Sequence, residues 1–319
     1  NPYYRQLLVK SFPRPLREKF NDAMDNHPLR KEIIATKLAN NIVNDMGLNF
    51  MVRMNEETGA NEAEIALCYS IASEIFQMRE TWLSISDLDN KIPSNVQTEM
   101  LYQLRRTVRR ATRWFLRHRT KAQSIEQAIE IFSPTFADLS ENLTKYIVKT
   151  ESDRIVSARE ELTQSGVPTD IAQRIVSLSS LFSVMDLTQI AQNSNRKIDM
   201  VSHTYFKLGA QMGLHWFLDQ ITNQPVSNHW QALARASYRE ELDWQQRTLS
   251  EVVLNSFEGE SSDVDGQIEQ WMDSQDLLLQ RWKQMLTEFK TSQSHDFAKF
   301  SVALRELMLL GHNCDTSAK

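Results

Sequence analysis

Two adjacent glutamates are the first residues whose type and spacing could do chemistry. In RMNEETGANEAEIALCY (53–69), Glu56 and Glu57 precede Thr58 and Gly59, after which the chain enters an amphipathic run. General acid–base catalysis uses paired carboxylates, but neighbours on a helix point about 100° apart, so these two do not share a face. They are expected to be solvated residues at a helix end, where a carboxylate opposes the macrodipole. Helix, glycine turn and helix is also the outline of a helix-turn-helix. The second helix, EAEIALCYSIASEIF (62–76), carries three glutamates and no Arg or Lys, however, and would repel phosphate. The stretch therefore reads as a joint between packed helices.

Other chemistries find little support. Neither Gly-x-Gly-x-x-Gly nor Gly-x-x-x-x-Gly-Lys-Ser/Thr occurs, so both glycine-rich phosphate cradles are missing from the sequence. His27, His118, His203, His215, His229, His295 and His312 include no i, i+4 pair around a Glu, the spacing of a helical zinc site. There is no Gly-x-Ser-x-Gly elbow and no cysteine in a nucleophile setting. Gly209 and Gly213 form a GxxxG, which outside a membrane reads as close packing of one helix on its neighbour. No catalytic, cofactor-binding or metal-ligating residue is expected in these 319 residues.

One charge anomaly stands out. QLRRTVRRATRWFLRHRTK (103–121) holds Arg105, Arg106, Arg109, Arg110, Arg113, Arg117, Arg119 and Lys121, and its apolar stripe of Leu101, Leu104, Val108, Ala111 and Phe115 leaves the arginines on a broad outer band. That band is either a solvated face neutralised by nearby acids, for which 160–162 and 239–243 are candidates, or a docking face for an acidic protein partner. Arg105, Arg106, Arg109, Arg110, Arg113 and Arg117 are the candidate docking residues. The net charge of −5, from 36 Lys and Arg against 41 Asp and Glu, argues against a nucleic-acid partner.

The elements that must position these residues are helices. Only 8 Gly and 8 Pro occur, too few for many tight hairpins, and helix formers recur throughout, so the fold class is all-α, a multi-helix array. From Pro28, apolar residues at helical spacing run to Gly47, a second helix covers 48 to about 57, and Asn61 with Glu64 resembles a capping box opening the next. Pro93 opens a long helix to about 119, and Pro134, Pro168 and Pro225 read as later boundaries. Residues 256–267 read as a flexible linker, 268–290 and 296–310 as helices, and the chain from Gly311 as a disordered tail. The expected organisation is a first helical unit over 1–145, a second over 146–258, and a helical hairpin with tail over 259–319.

Self-comparison lays 50–82 over 187–216. Ile65 falls on Val201, Tyr69 on Tyr205 and Phe76 on Met212, each 136 residues apart, and Trp82 meets Trp216 after a two-residue deletion. The chain thus reads either as two divergent copies of one multi-helix unit or as helices alike only in period.

The chain begins Asn1-Pro2-Tyr3-Tyr4 without a methionine, which suggests a piece of something longer. Two cysteines, Cys68 on an apolar face and Cys314 in a polar tail, suit a reducing compartment, and with no bilayer-length apolar run the expected location is the cytoplasm, with no membrane partner.

FPRPLREKF (12–20), HPLRKEIIATKLANNIVNDMGLNFMVRMNEETGA (27–60), LDNKIPSNVQ (88–97), RATRWFLRHR (110–119), HWQALARASYREEL (229–242) and SVALREL (301–307) together resemble the C-terminal region of the large bacterial NAD-specific glutamate dehydrogenases. The resemblance covers nearly the whole chain. It implies a parent that oxidises L-glutamate to 2-oxoglutarate and ammonia with NAD, whose central domain carries the dinucleotide fold. It also implies that this helical region packs on that catalytic domain, helps subunits assemble as a homo-oligomer, or transmits regulation. The alternative class is a free-standing helical scaffold or adaptor with an Arg-rich docking face.

Overall fold

The structure is a computed structural model in which residues 2–118, 124–257, 263–292 and 296–317 are described, and among them only helices form. In chain order these are α1 (Pro2–Lys10), α2 (Arg14–Phe20), a 3-10 helix (Asp22–Asn26), α3 (Arg30–Met46), α4 (Phe50–Thr58), α5 (Glu62–Ile75), α6 (Met78–Ser86) and α7 (Ser94–His118). They continue as α8 (Ile125–Tyr146), α9 (Lys149–Gln164), α10 (Thr169–Leu181), α11 (Val184–Ser194), α12 (Ile198–Gln211), α13 (Leu214–Asn223) and α14 (His229–Ser256). The last three are α15 (Val264–Ser274), α16 (Asp276–Thr291) and α17 (Phe297–Ser317). The chain divides into two compact units, Asn1–Ser140 with Ile155–Met185 and Glu141–Arg154 with Asp186–Lys319.

Local chemistry sets the joints. Gly59 takes a left-handed φ of 71° and donates its N–H to the Asn55 carbonyl at 2.7 Å, closing α4. Two residues on, Asn61 Oδ1 accepts from the Glu64 N–H and Glu64 Oε2 from the Asn61 N–H, each at 3.0 Å, a reciprocal capping box that starts α5. On α7 the buried Met100, Leu104, Val108, Ala111 and Phe115 recur at i, i+4, i+8, i+11 and i+15 and pack on α5, whose Ile65, Cys68, Tyr69 and Ala72 are also buried. In the second unit α14 packs on α12, α13 and α17, and Phe217, Trp282, Phe289 and Phe300 form an aromatic cluster with centroids 5.3–5.7 Å from Phe217. Trp282 satisfies its buried indole by donating to the Met212 carbonyl at 2.9 Å.

Several boundaries differ from the sequence reading. Pro134 lies inside α8, where it removes one backbone N–H without ending the helix. The segment 268–290 is two helices, broken at Gln275. Gly311 does not stop α17; it lies 3.7 Å, measured from an added Cβ, from the Leu249 side chain, and the helix continues to Ser317. Of the expected linker, 264–267 belong to α15, whose Asp263 cap accepts from the Gly266 N–H, while 258–262 lie outside the described residues.

Two helix sets share one pattern. α5 and α12 begin and end 136 residues apart (198 − 62 and 211 − 75). The left-handed residues flanking them, Gly59 and Asn195 before, Gln77 and Gly213 after, keep the same spacing (195 − 59 and 213 − 77). Thr58 Oγ1 bonds the Met54 carbonyl as Ser194 Oγ bonds that of Ile190, again at that offset. The register holds into α6 and α13, where buried Met78 and Ile85 match buried Leu214 and Ile221. No two-residue deletion falls there, so Trp82 corresponds to Leu218 and not to Trp216. Between α7 and α14 the offset becomes 138 (250 − 112): Thr112 Oγ1 bonds the Val108 carbonyl and Ser250 Oγ the Gln246 carbonyl, both at 2.8 Å.

Candidate docking face

The long Arg-rich helix α7 carries the candidate residues, and the first unit engages most of them itself. Arg105 donates through Nε to the Asp45 carbonyl at 2.6 Å and through Nη2 to the Asn44 carbonyl at 3.3 Å, with its guanidinium 4.7 Å from the Trp82 ring centroid. Those carbonyls end α3, so the cation sits where the macrodipole favours it. Arg110 lies 3.8 Å over the Phe182 ring. Arg113 Nε donates to Glu57 Oε2 at 2.8 Å and Nη2 pairs with the same oxygen. Arg117 Nη2 donates to the Glu57 carbonyl at 3.2 Å. Arg106 is exposed, and Arg119 and Lys121 lie outside the described residues.

Glu57 is therefore not the solvated helix-end residue that its sequence position suggested. Its side chain is 22% exposed and gripped by Arg113, and Arg117 holds its carbonyl, so two cations offset the cost of a carboxylate at the C-terminus of α4. Glu56 is exposed, as expected.

Arg109 behaves differently. It is half-buried and, among the described residues, neither hydrogen-bonded nor ion-paired. Burial lowers its pKa below the usual guanidinium value, and Arg53 on α4 pushes in the same direction, as does Arg113, while Tyr102 and Glu57 oppose them. Arg117 is also lowered, by burial and then by Arg113. Arg53 itself is exposed and has no hydrogen bond or ion pair among the described residues. It escaped the sequence reading because a lone arginine on a short helix gives no periodic signal.

Behind this face lies a buried polar group. Tyr69 donates to Asp45 Oδ2 at 2.6 Å, burial raises the pKa of both Asp45 and Glu74, and burial pushes Tyr3 up to about 12. In the second unit the corresponding tyrosine, Tyr205, meets a different acid: Asp186 accepts from it at 3.4 Å and from buried Arg247 at 2.7 Å, while Gln246 Nε2 donates to the Tyr205 carbonyl at 3.2 Å. Among the described residues no group of three or more His, Cys, Asp or Glu is placed to hold a metal ion, and no helix is long and apolar enough to cross a membrane.

The arrangement is one of cation–carbonyl, cation–carboxylate and cation–ring contacts that hold helices together. The family model described as "Glutamate dehydrogenase, C-terminal" matches residues 1–309. The chain is 36% identical over 313 residues to the NAD-specific glutamate dehydrogenase of Halomonas elongata, with 98% of this chain and 19% of that protein covered. It is 34% identical to that of Pseudomonas aeruginosa, with 98% and 19% covered, and 27% identical to that of Mycobacterium tuberculosis, with 95% and 18% covered. The chain thus spans about a fifth of the length of the curated relatives it matches. On the strength of that match over nearly its whole length, the chain belongs to the glutamate dehydrogenase C-terminal family.

Proposed function

We propose that this chain is the non-catalytic C-terminal helical region of a large cytoplasmic NAD-dependent glutamate dehydrogenase. The parent would convert L-glutamate, NAD and water into 2-oxoglutarate, ammonia and NADH, and this region would serve packing on the catalytic domain, assembly of a homo-oligomer, or regulation. The observation that carries the reading is coverage. Almost all of this chain matches about a fifth of enzymes whose names state the activity, and the chain itself has neither glycine-rich cradle for a dinucleotide. The shared 136-residue register supports reading α4–α7 and α11–α14 as two divergent copies of one helical unit inside this region.

The test compares the purified 319-residue chain, its helicity checked by circular dichroism, with the full-length parent, following NADH formed from glutamate. The parent is expected to turn over and the chain alone to give no NADH; glutamate-dependent turnover by the chain alone would overturn the assignment of a non-catalytic role.

A further inference from the structure

The stripe Tyr102, Arg106, Arg109 and Arg113 runs along α7 at i, i+4, i+7, i+11, and α4 packs beside it, with Arg53 and Glu57 one turn apart acting on Arg109. Of the groups that bear on Arg109, Arg53 and Arg113 oppose its charge, while Tyr102 and Glu57 favour it, and Glu57 is already committed to Arg113. Exposed apolar residues lie near this pair in the sequence of the two helices and the turn before α4. Leu48, in the turn before α4, is 81% exposed, Val52 beside Arg53 is 59% exposed, and Tyr102 on α7 is 54% exposed. Holding Arg53 beside Arg109 with one nearby carboxylate, itself shared with Arg113, is unfavourable for an exposed face, since each guanidinium raises the cost of the other's charge and Arg109 has in addition lost part of its hydration. Such a face is complete only when something brings carboxylates and an apolar patch to it.

We infer that the α4–α7 face, through Arg53 and Arg109 with Leu48, Val52 and Tyr102 around them, docks a carboxylate-bearing surface of the remainder of the parent polypeptide. The inference rests on the reading of this chain as one region of a long enzyme. The remainder is the fitting occupant because the chain matches only about a fifth of its relatives' length, and because the charge that Arg53 and Arg109 lack is negative. Of the six arginines expected from the sequence to form a docking face, this retains Arg109 as the organising residue. Arg105, Arg110, Arg113 and Arg117 stay in contacts within the first unit.

The experiment uses the full-length enzyme. A photo-crosslinking amino acid placed at Val52 is expected to join a peptide outside the 319 residues that contains Asp or Glu, whereas the same group at Leu277, 80% exposed in the second unit, is expected to give no crosslink to that peptide. Arg53→Glu is expected to weaken assembly by about tenfold or more at low salt, and Asp/Glu→Arg in the crosslinked peptide to restore it, because charge reversal across a contact is recovered only by its own partner. Arg53 is exposed, so its substitution leaves folding intact; Arg109→Lys tests the half-buried position without removing charge, and is expected to weaken assembly less than Arg53→Glu does. A Val52 crosslink confined to peptides without carboxylates, to the equivalent face of a second copy or to nothing, or an assembly unchanged by Arg53→Glu, would overturn the inference. An enzyme that fails to form NADH from glutamate would instead overturn the proposed function, and so the two failures are told apart.

Discussion

Phe50 and Asp186 occupy the same place in the two helix sets (186 − 50 = 136), yet one is a ring and the other a carboxylate. In the first set Phe50 makes a T-shaped contact with Tyr69, centroids 6.1 Å apart, and the tyrosine hydroxyl finds Asp45 on α3. In the second, Asp186 itself takes the hydroxyl of Tyr205 and is neutralised by Arg247, whose counterpart in α7 is Arg109, which has no hydrogen bond or ion pair among the described residues (247 − 138 = 109). Two further exchanges follow the same logic. Ser73 and Val108, both buried in the first set, become Gly209 and Gln246, and the ion pair Glu57–Arg113 becomes the amide–carboxylate pair Asn193–Glu251 at 2.8 Å. What persists is the helix register and the satisfaction of each buried tyrosine hydroxyl. The partner is free to change provided that its neighbour changes with it.

The largest effect is expected at the buried ion pair. Asp186→Phe, which writes the first set's residue into the second, removes the carboxylate that accepts from buried Arg247 at 2.7 Å and should cost about 3–5 kcal/mol. With Arg247→Leu added, most of that loss should return, because removing both charges is far cheaper than removing one. Hydrogen exchange of α12 and α14 peptides reads this directly. If the single and double variants lose protection equally, the Asp186 and Arg247 charges do not compensate each other.

The next effect is steric. A Cβ on Gly209 would lie 2.6 Å from Gln246 Nε2, which donates to the Tyr205 carbonyl, so Gly209→Ser must displace that amide and lose its hydrogen bond. A cost of about 1–2 kcal/mol is expected, largely recovered by Gln246→Val, since together the two substitutions recreate the Ser73–Val108 combination. Thermal unfolding of the two single variants and the double supplies the cycle; additive losses would show that the two sites do not exchange volume.

Much of this framework was legible in the sequence because it is periodic or covalent in origin. The capping box at Asn61, the stop at Gly59 and the span of α7 all follow from residue type at fixed spacing. The two residues of GxxxG, by contrast, divide their labour in a way spacing does not reveal: Gly209 faces Gln246, while Gly213 ends α12 with φ 66°. Arg53 and Asp186 were missed for one reason, which is that each owes its significance to a long-range neighbour, Arg109 or Arg247. The Trp82–Trp216 match misled because tryptophan is conspicuous, whereas the register is carried by Gln77 and Gly213, whose common feature is backbone conformation.

The two units should also respond to pH with opposite sign. Burial raises the pKa of Asp45 and Glu74 in the first unit, with Tyr69, Arg79 and Arg105 opposing the shift at Asp45 and Lys10 and Arg79 at Glu74. A raised carboxylate binds its proton more tightly in the folded state, so its contribution is most favourable at low pH and is lost as pH rises through the folded value. In the second unit burial lowers the pKa of His215, against the pull of Glu151, Asp219 and Asp243 and with the help of Arg154. There the unfolded chain binds the proton first, so stability is lost as pH falls from about 6.5 towards the folded value. At the alkaline end Tyr3, raised to about 12, withdraws stability from the first unit as pH climbs past about 10. Hydrogen exchange across pH, corrected for intrinsic rates, should therefore show α12–α14 loosening first in mild acid and α1 with α5 loosening first in alkali. The same unit yielding first at both ends would remove the contrast.

The smallest effect concerns the exchange at the ends of α4 and α11. Glu57 and Arg113 are partly exposed, at 22% and 14% of their side chains, so their attraction is screened and the pair is expected to contribute about 1 kcal/mol or less beyond its helix-end role. Asn193 and Glu251 meet by a neutral donor to a charged acceptor, an interaction of similar size that leans less on long-range charge. Arg113→Ala should therefore destabilise the α4–α7 contact more at low salt than at high salt, whereas Asn193→Ala should cost a similar amount at both. The Arg113 variant has a second consequence that the Asn193 variant lacks. Releasing Glu57 places a free carboxylate beside Arg109, which relieves the repulsion from Arg53 and offsets part of the loss. A cycle of Arg113→Ala, Arg109→Gln and the double, measured by urea unfolding at two salt concentrations, should then give a coupling of opposite sign to simple additivity: losing Arg113 should hurt more once Arg109 is gone. Strict additivity would mean that Glu57 does not turn from one arginine to the other, and that the two arginines act on α4 independently.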